Sequence, residues 1–260
     1  MDMSSEQRFT FDEVATLYDR VRPRYPPEFL AAVVELAELA PGDRVLEIGC
    51  GTGQASEGLA AGGLRMLCLE PGVALADRAR TNLRRFSDVE VVESTFEAWS
   101  LEAEAFDAIV CAQAFHWVDP ELRFSKAAAA LRPGGSLAVF GHVSRLDASP
   151  LRPALDAAYA RHAPSLLGPS VTAWYSAEGP LQRDFAASGR FERVSHRRHD
   201  WARSFTTRDY LDLMQTYSEH RMLDELSLAA LLAAVAEVIE AAGGSIEIRY
   251  DANLYIARRK

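Results

Sequence analysis

The chain is expected to fold as an α/β domain: a doubly wound, seven-stranded, mostly parallel sheet whose last strand is antiparallel, with a helical cap. Three observations point there. Val45 to Gly53, Val-Leu-Glu-Ile-Gly-Cys-Gly-Thr-Gly, is a short apolar run that breaks into three alternating glycines, the pattern of a buried strand delivering a turn and then a helix. Further short apolar runs follow, separated by helix-like stretches. Glu70 ends the second run about 20 positions beyond Gly49, where doubly wound folds place an acid.

Each element has its own signal. Phe9, Phe11, Val14, Ala15, Leu17 and Tyr18 mark one face of a short amphipathic helix, which Pro23, Pro26 and Pro27 interrupt. Pro27 suits the first turn of a helix over 28–39. Pro41-Gly42 turns the chain into strand one at 44–48, and a helix over 54–61 ends at Gly62-Gly63. Strand two spans 64–69, a helix 71–85 and strand three 89–93. Strand four, 105–111, is almost unbroken apolar, as suits a parallel strand covered on both faces. Asp119-Pro120 caps a helix ending near Leu131; Arg132 to Gly135 is a turn, and strand five spans 136–143.

From 149 to 190, short helical pieces are broken by Pro150, Pro153, Pro164, Pro169 and Pro180. That is too long for a plain loop, so a cap is expected. Strand six at 191–201, helical stretches at 207–217 and 226–242, and a closing strand from Ile246 to Ile256 that pairs with strand six complete the chain. The division read from these signals is 1–43 for N-terminal helices and a lid, 44–148 for the cofactor core, 149–190 for the cap, and 191–260 for the rest of the sheet.

Composition narrows the function classes. A formal net charge of -9 opposes long-range attraction to nucleic acid, so the expected partner is a small molecule acting on a monomer or homodimer. There is no run of 18 apolar residues for a membrane span, and the first residues lack a secretion signal, so a cytoplasmic protein is expected. Cys50, Cys68 and Cys111 lack metal-ligand spacing and read as small core residues in a reducing compartment. No metal site is expected.

Glycines at 49, 51 and 53 let a ligand approach the backbone. Glu47, just before them, disfavours a pyrophosphate and favours a cationic ligand. The stretch resembles the first motif of class I S-adenosylmethionine (SAM)-dependent methyltransferases, Asp/Glu-x-Gly-x-Gly-x-Gly, which have a Rossmann-like fold. This resemblance implies SAM as cofactor and S-adenosylhomocysteine (SAH) as product, with Gly49, Cys50, Gly51 and Gly53 at the turn, Glu70 on the ribose hydroxyls and Pro71 beside it. Tyr18-Asp-Arg-Val-Arg22-Pro-Arg-Tyr25-Pro is similar to a segment that closes over SAM in many small-molecule members. It brings Tyr18 and Arg22 to the methionyl end and Tyr25 to the pocket wall.

Many relatives have Asp at the position of Thr95, as the partner of the adenine amino group; threonine is a weaker acceptor. Phe96 or Trp99 offers a flat apolar surface for the purine, or is ordinary core. Strand four delivers Gln113, His116 and Trp117 to the carboxyl edge of the sheet, beside the methyl-transfer site in the family. His116 is the candidate base, or else packs the pocket wall with Trp117. In the cap, His162, Trp174 and Tyr175 fall where relatives close the acceptor pocket. Arg22, Arg24, Arg221 and His199 offer cationic groups for an anionic acceptor.

The chain is similar to the broad group holding trans-aconitate methyltransferases and the quinone-pathway and natural-product enzymes. The expected activity is methyl transfer to a small molecule. The alternatives are a non-catalytic SAM-binding protein, a nucleic-acid or protein methyltransferase, and an NAD enzyme.

Overall fold

Residues 45–48 are buried on both faces, which requires cover above and below and neighbours on both sides. The computed structural model, which describes residues 14–168 and 171–260, provides them. The strands are β1 (Arg44–Ile48), β2 (Arg65–Glu70), β3 (Val89–Glu93), β4 (Phe106–Ala112), β5 (Leu131–Ser144), β6 (Phe191–Thr206) and β7 (Ser245–Arg259), in the order β3-β2-β1-β4-β5-β7-β6. Pairings from β1 to β5 are parallel, whereas β7 is antiparallel to both β5 and β6. The seven-stranded, mostly parallel sheet expected from the sequence is therefore present, with its antiparallel last strand. Chain direction across the sheet switches between β1 and β4, and open α/β sheets form ligand crevices at such a point.

The helices are α1 (Ala15–Val21), α2 (Pro27–Leu36), α3 (Ser56–Ala61), α4 (Val73–Leu83), α5 (Arg123–Ala130), α6 (Arg152–His162), α7 (Leu181–Ala187), α8 (Thr207–Met214), α9 (Ser218–Arg221) and α10 (Glu225–Ala241). No helix among the described residues is long and apolar enough to cross a membrane. Phe9, Phe11 and Pro169 lie outside the described residues.

Helix α5 begins at Arg123 with no side-chain cap, not at the expected Asp119-Pro120, and α8 ends at Met214, short of the expected 217. Two strands also differ from expectation. β5 begins at Leu131, because Leu131 pairs with Phe106 before the register shifts and Ser136 pairs with Ala108. The expected turn at 132–135 is thus a bulge inside the strand, with Gly134 at φ +75°. β6 runs five residues beyond Trp201, to Thr206, because β7 is long enough to pair with all of it.

Two apolar clusters of the core are built mainly on the central strands, with Phe106, Ile109 and Leu137 in one and Val45, Val110 and Phe140 in the other. A third cluster joins the helices that rise beside the carboxyl edge: Val21 of α1, Leu155 of α6, Leu213 of α8, and Leu231, Val235 and Ile239 of α10. The α10 residues recur at every fourth position and so share one helix face. Thr206 and Asp224 cap α8 and α10 through the Asp209 and Ser227 amides. The α6 stretch therefore packs with the C-terminal helices as one layer over the crevice.

Candidate active site

Strand β1 ends in a turn held from below: the Gly49 and Cys50 amides donate to Leu69 O at 2.8 and 3.0 Å. Gly49 and Gly51 have φ of +68° and +61°, open to glycine and costly for other residues. A side chain on Gly49 would also place its Cβ 2.5 Å from the Ala114 Cβ, so the end of β4 closes against the turn. Glu70, at the tip of β2, is buried and accepts from Gly51 N at 2.8 Å and Gly72 N at 3.0 Å. The acid is thereby fixed in rotamer beside the glycine turn.

A cavity of about 640 Å³ opens over this edge. Its wall takes Gly49 and Gly51 from the turn, Glu70 and Pro71 from β2, and Thr95, Phe96 and Glu97 from the loop after β3. Gln113, His116 and Trp117 follow from β4, and Tyr18 and Arg22 from α1. These sequence-selected residues therefore meet at one place.

Helix α1 is fastened at the rim of the cavity. Asp19 Oδ1 accepts from Thr52 Oγ1 and Asn82 Nδ2, both at 2.9 Å. Arg22 donates through Nε to Thr216 Oγ1 at 2.9 Å, and its guanidinium lies over the rings of Tyr18 and Tyr217, at 4.9 and 4.7 Å from their centroids. Gln113, at φ +58°, has both ends of its side-chain amide on the His142 backbone. Such a left-handed non-glycine residue is uncommon, and it stands at the switch point.

Several sequence assignments need correcting. Glu47 does not line the cavity: its carboxyl is fully buried and accepts from Ser56 Oγ at 2.5 Å. Burial pushes it up to about 7, so it is no fixed negative charge for a ligand. Gly53 lines neither cavity described here; its φ of +95°, open to glycine and costly for other residues, shapes the turn. Cys50 and Tyr25 line a separate recess of about 80 Å³. Hydrogen bonding with Cys68 and burial push the Cys50 thiol well up, and it stays protonated. Trp174 and Tyr175 are outside the cavity wall. Tyr175 is fully buried against Gly141, where a Cβ would come within 2.7 Å of its ring, and Trp174 packs on Arg123.

His199 lies on β6 with Nε2 3.5 Å from Glu28 of α2, away from the cavity. Arg24 is half exposed and paired with Glu57. Arg221 does not line the cavity, although its neighbours Ser218, Glu219 and His220 do.

His116 does reach the wall. Its Nδ1 is 2.7 Å from the Tyr175 hydroxyl, and burial, helped by Arg123, lowers its pKa to about 3. A neutral imidazole with so little basicity is a poor general base near pH 7, which is a correction to the proton-acceptor assignment. Sequence reasoning missed Glu97, Tyr159, Tyr217 and His220 of the large cavity, and His142 and Tyr250 of the recess. Only Glu97 had a local signal, two residues past Thr95, and it brings a carboxylate to the wall where Thr95 has none. Among the described residues no cluster of metal-ligating side chains occurs.

The residues fit the group that the glycine motif implies. The turn has no side chains to fill the crevice, and a carboxylate anchored by two amides stands next to it, as a ribose diol requires.

Comparison with known proteins agrees. Residues 46–139 match the family described as "Methyltransferase domain". An uncharacterized methyltransferase of Mycobacterium tuberculosis (strain ATCC 25618 / H37Rv) is 33% identical over 132 residues, 51% of this chain and 51% of that protein. The chain spans about half the length of such curated relatives. Among solved structures, a protein of Anaeromyxobacter dehalogenans provisionally described as a type II methyltransferase has a TM-score of 0.66 at 24% identity, covering 92% of this chain and 97% of that one. Haemonchus contortus phosphoethanolamine N-methyltransferase 2, solved with phosphomonomethylethanolamine and SAH, has a TM-score of 0.55 at 14% identity, covering 95% of this chain and 57% of that one. The glycine turn, the anchored acid and the sheet order thus accompany a methyltransferase-domain match over residues 46–139, and the fold is that of the methyltransferase structures.

Proposed function

We propose that this chain transfers a methyl group from SAM to a small-molecule acceptor by direct in-line displacement, giving SAH. The observation that carries this reading is Glu70, locked by two amides beside the glycine turn at the mouth of the 640 Å³ cavity. When bound, SAM supplies an electrophilic methyl on a positively charged sulfur. Glu70 holds the ribose hydroxyls, and Gly49 to Gly51 allow the amino-acid tail to lie against the backbone. Phe96 and Glu97 offer an apolar face and a carboxylate to the adenine.

Positioning the two reactants is the main contribution expected of the protein. Tyr18 and Arg22 of α1, with residues of α6, α8 and α9, line the cavity on the side away from the sheet and narrow it around the reactants. A concave pocket of this size suits a small acceptor better than a polymer. His116 and Trp117 border the acceptor end; the neutral imidazole orients, and the acceptors favoured are those that need no strong base.

Isothermal calorimetry with SAM, SAH and NAD tests the assignment. Binding of SAM and SAH in the micromolar range, with no heat from NAD, is expected; NAD binding in place of both would contradict it.

A further inference from the structure

On its helix side, the cavity of about 640 Å³ is walled by rings: Tyr159 of α6, Tyr210 of α8, Tyr217 and His220 of the α8–α9 segment, and Trp117 from the turn after β4. Several of these rings fix one another. The Tyr159 hydroxyl is 2.8 Å from His220 Nε2, and the His220 ring lies 5.7 Å from Tyr159 at 85° and 5.4 Å from Tyr217 at 45°. Leu146 and Leu166 add apolar surface to the same wall. A flat ring is the shape that such aromatic faces and edges pack best.

The charges on the wall disfavour an anion. Arg22 donates to Thr216 Oγ1 and to the Thr216 carbonyl, and it lies over two tyrosine rings. Arg152 Nε stands 2.6 Å from the Asp156 carboxylate, and both residues line the cavity. Among the described residues these are the only arginines on the wall, against the acids Glu70, Glu97, Asp156 and Glu219. A carboxylate acceptor would therefore meet a formally negative cavity.

Proton removal has no imidazole to serve it. Burial, helped by Arg123 at His116 and by Arg22 at His220, holds the two histidines of this wall at about 3 and about 4. Burial also raises the Tyr159, Tyr210 and Tyr217 phenols. None of these rings takes up a proton near pH 7, so an alcohol, a phenol or a protonated amine finds no partner among them.

Resting on the proposed methyl transfer, we infer that the acceptor is a small nitrogen heteroaromatic, of the pyridine or imidazole type, whose uncharged ring lies among Tyr159, Tyr210, Tyr217 and Trp117. Its ring nitrogen has an in-plane lone pair and no proton to shed before attack. That pair forms the bond to the methyl carbon while the sulfur–methyl bond breaks and its electrons return to sulfur. The positive charge passes from the sulfonium to the ring, giving an N-methylated cation and SAH. Aromatic faces and an acidic wall suit that cation.

Four two-ring probes of similar size separate the acceptor classes: isoquinoline, 2-naphthol, 2-naphthoate and tetrahydroisoquinoline. With SAM near pH 7, isoquinoline is expected to release SAH at least about ten-fold faster than the other three, with N-methylisoquinolinium identified by mass spectrometry. The melting temperature of the SAH-loaded protein should rise with isoquinoline and not with 2-naphthoate. Asp156→Asn, which releases Arg152 from its partner, is expected to tighten 2-naphthoate binding about ten-fold, the worth of one hydrogen bond to a charged group.

A turnover ranking led by any other probe would overturn the inference, as would a protein that binds SAH yet shows neither turnover nor a melting shift with isoquinoline. Unchanged 2-naphthoate binding in a folded Asp156→Asn protein would count against it too. A wild type that binds neither SAM nor SAH would instead contradict the proposed function, and the melting shifts of the four probes on the unloaded protein would then decide this inference alone.

Discussion

Glu70→Ala is expected to weaken SAM binding by about 100-fold or more. On the proposed reading the carboxylate accepts from two ribose hydroxyls, and hydrogen bonds to a charged group contribute about 1.5–3 kcal/mol each. Two of them sum to roughly 3 kcal/mol at the low end, which is about a hundred-fold in affinity. The same substitution leaves the Gly51 and Gly72 amides without their acceptor, so some loss of stability accompanies it. Glu70→Gln keeps one acceptor oxygen for the turn and loses the charge, so it separates the two effects. Calorimetry with SAH on both variants, alongside their melting temperatures, reads the outcome. Wild-type affinity in a folded Glu70→Ala protein would remove the ribose role.

Acid is expected to destabilise the fold well before the carboxylates as a class titrate. His116, His142 and His220 are held neutral by burial, at about 3, about 3 and about 4, against 6.5 in an unfolded chain. Between those values the unfolded state binds more protons, so their contribution is complete above 6.5 and is lost as pH falls through that range. Glu47 acts oppositely: raised to about 7 from 4.5, it favours the folded state increasingly as pH falls through 7.

Three protons on the unfolded side outweigh one on the folded side, so the net slope is positive with pH. Each ten-fold difference in proton affinity between the folded and unfolded states is worth about 1.4 kcal/mol, and the net loss from pH 7 to pH 4 should exceed about 3 kcal/mol. Urea unfolding at several pH values measures it. A midpoint independent of pH between 7 and 4 would contradict the buried neutral state of these rings.

The part of the site that was legible in the sequence is the part written in one local stretch. The glycine turn and Glu70 are fixed by spacing along β1 and β2, and β1 and β3 have the expected bounds. What was not legible is orientation. A strand buried on both faces carries no alternation to tell which side chain looks toward the crevice, so Glu47 was assigned to a ligand when it faces Ser56.

The polar residues over the crevice come from elements far apart in sequence. His142 and His199 pair with the same residue, Ala252, from opposite sides of β7, yet only His142 reaches the recess. No spacing distinguishes them; the strand order does. The prolines of 149–190 led to the expectation of a cap, but Tyr159 and His220, joined at 2.8 Å across α6 and α9, belong to a packing that only the third apolar cluster reveals.

A crystal structure of the protein with SAH puts the proposed cofactor site to the plainest trial. The ribose hydroxyls are expected on the Glu70 carboxylate, the adenine beside Phe96 and Glu97, and the sulfur facing the His116 side of the cavity. SAH bound elsewhere, or the glycine turn closed over side chains with Glu70 turned away, would contradict that site.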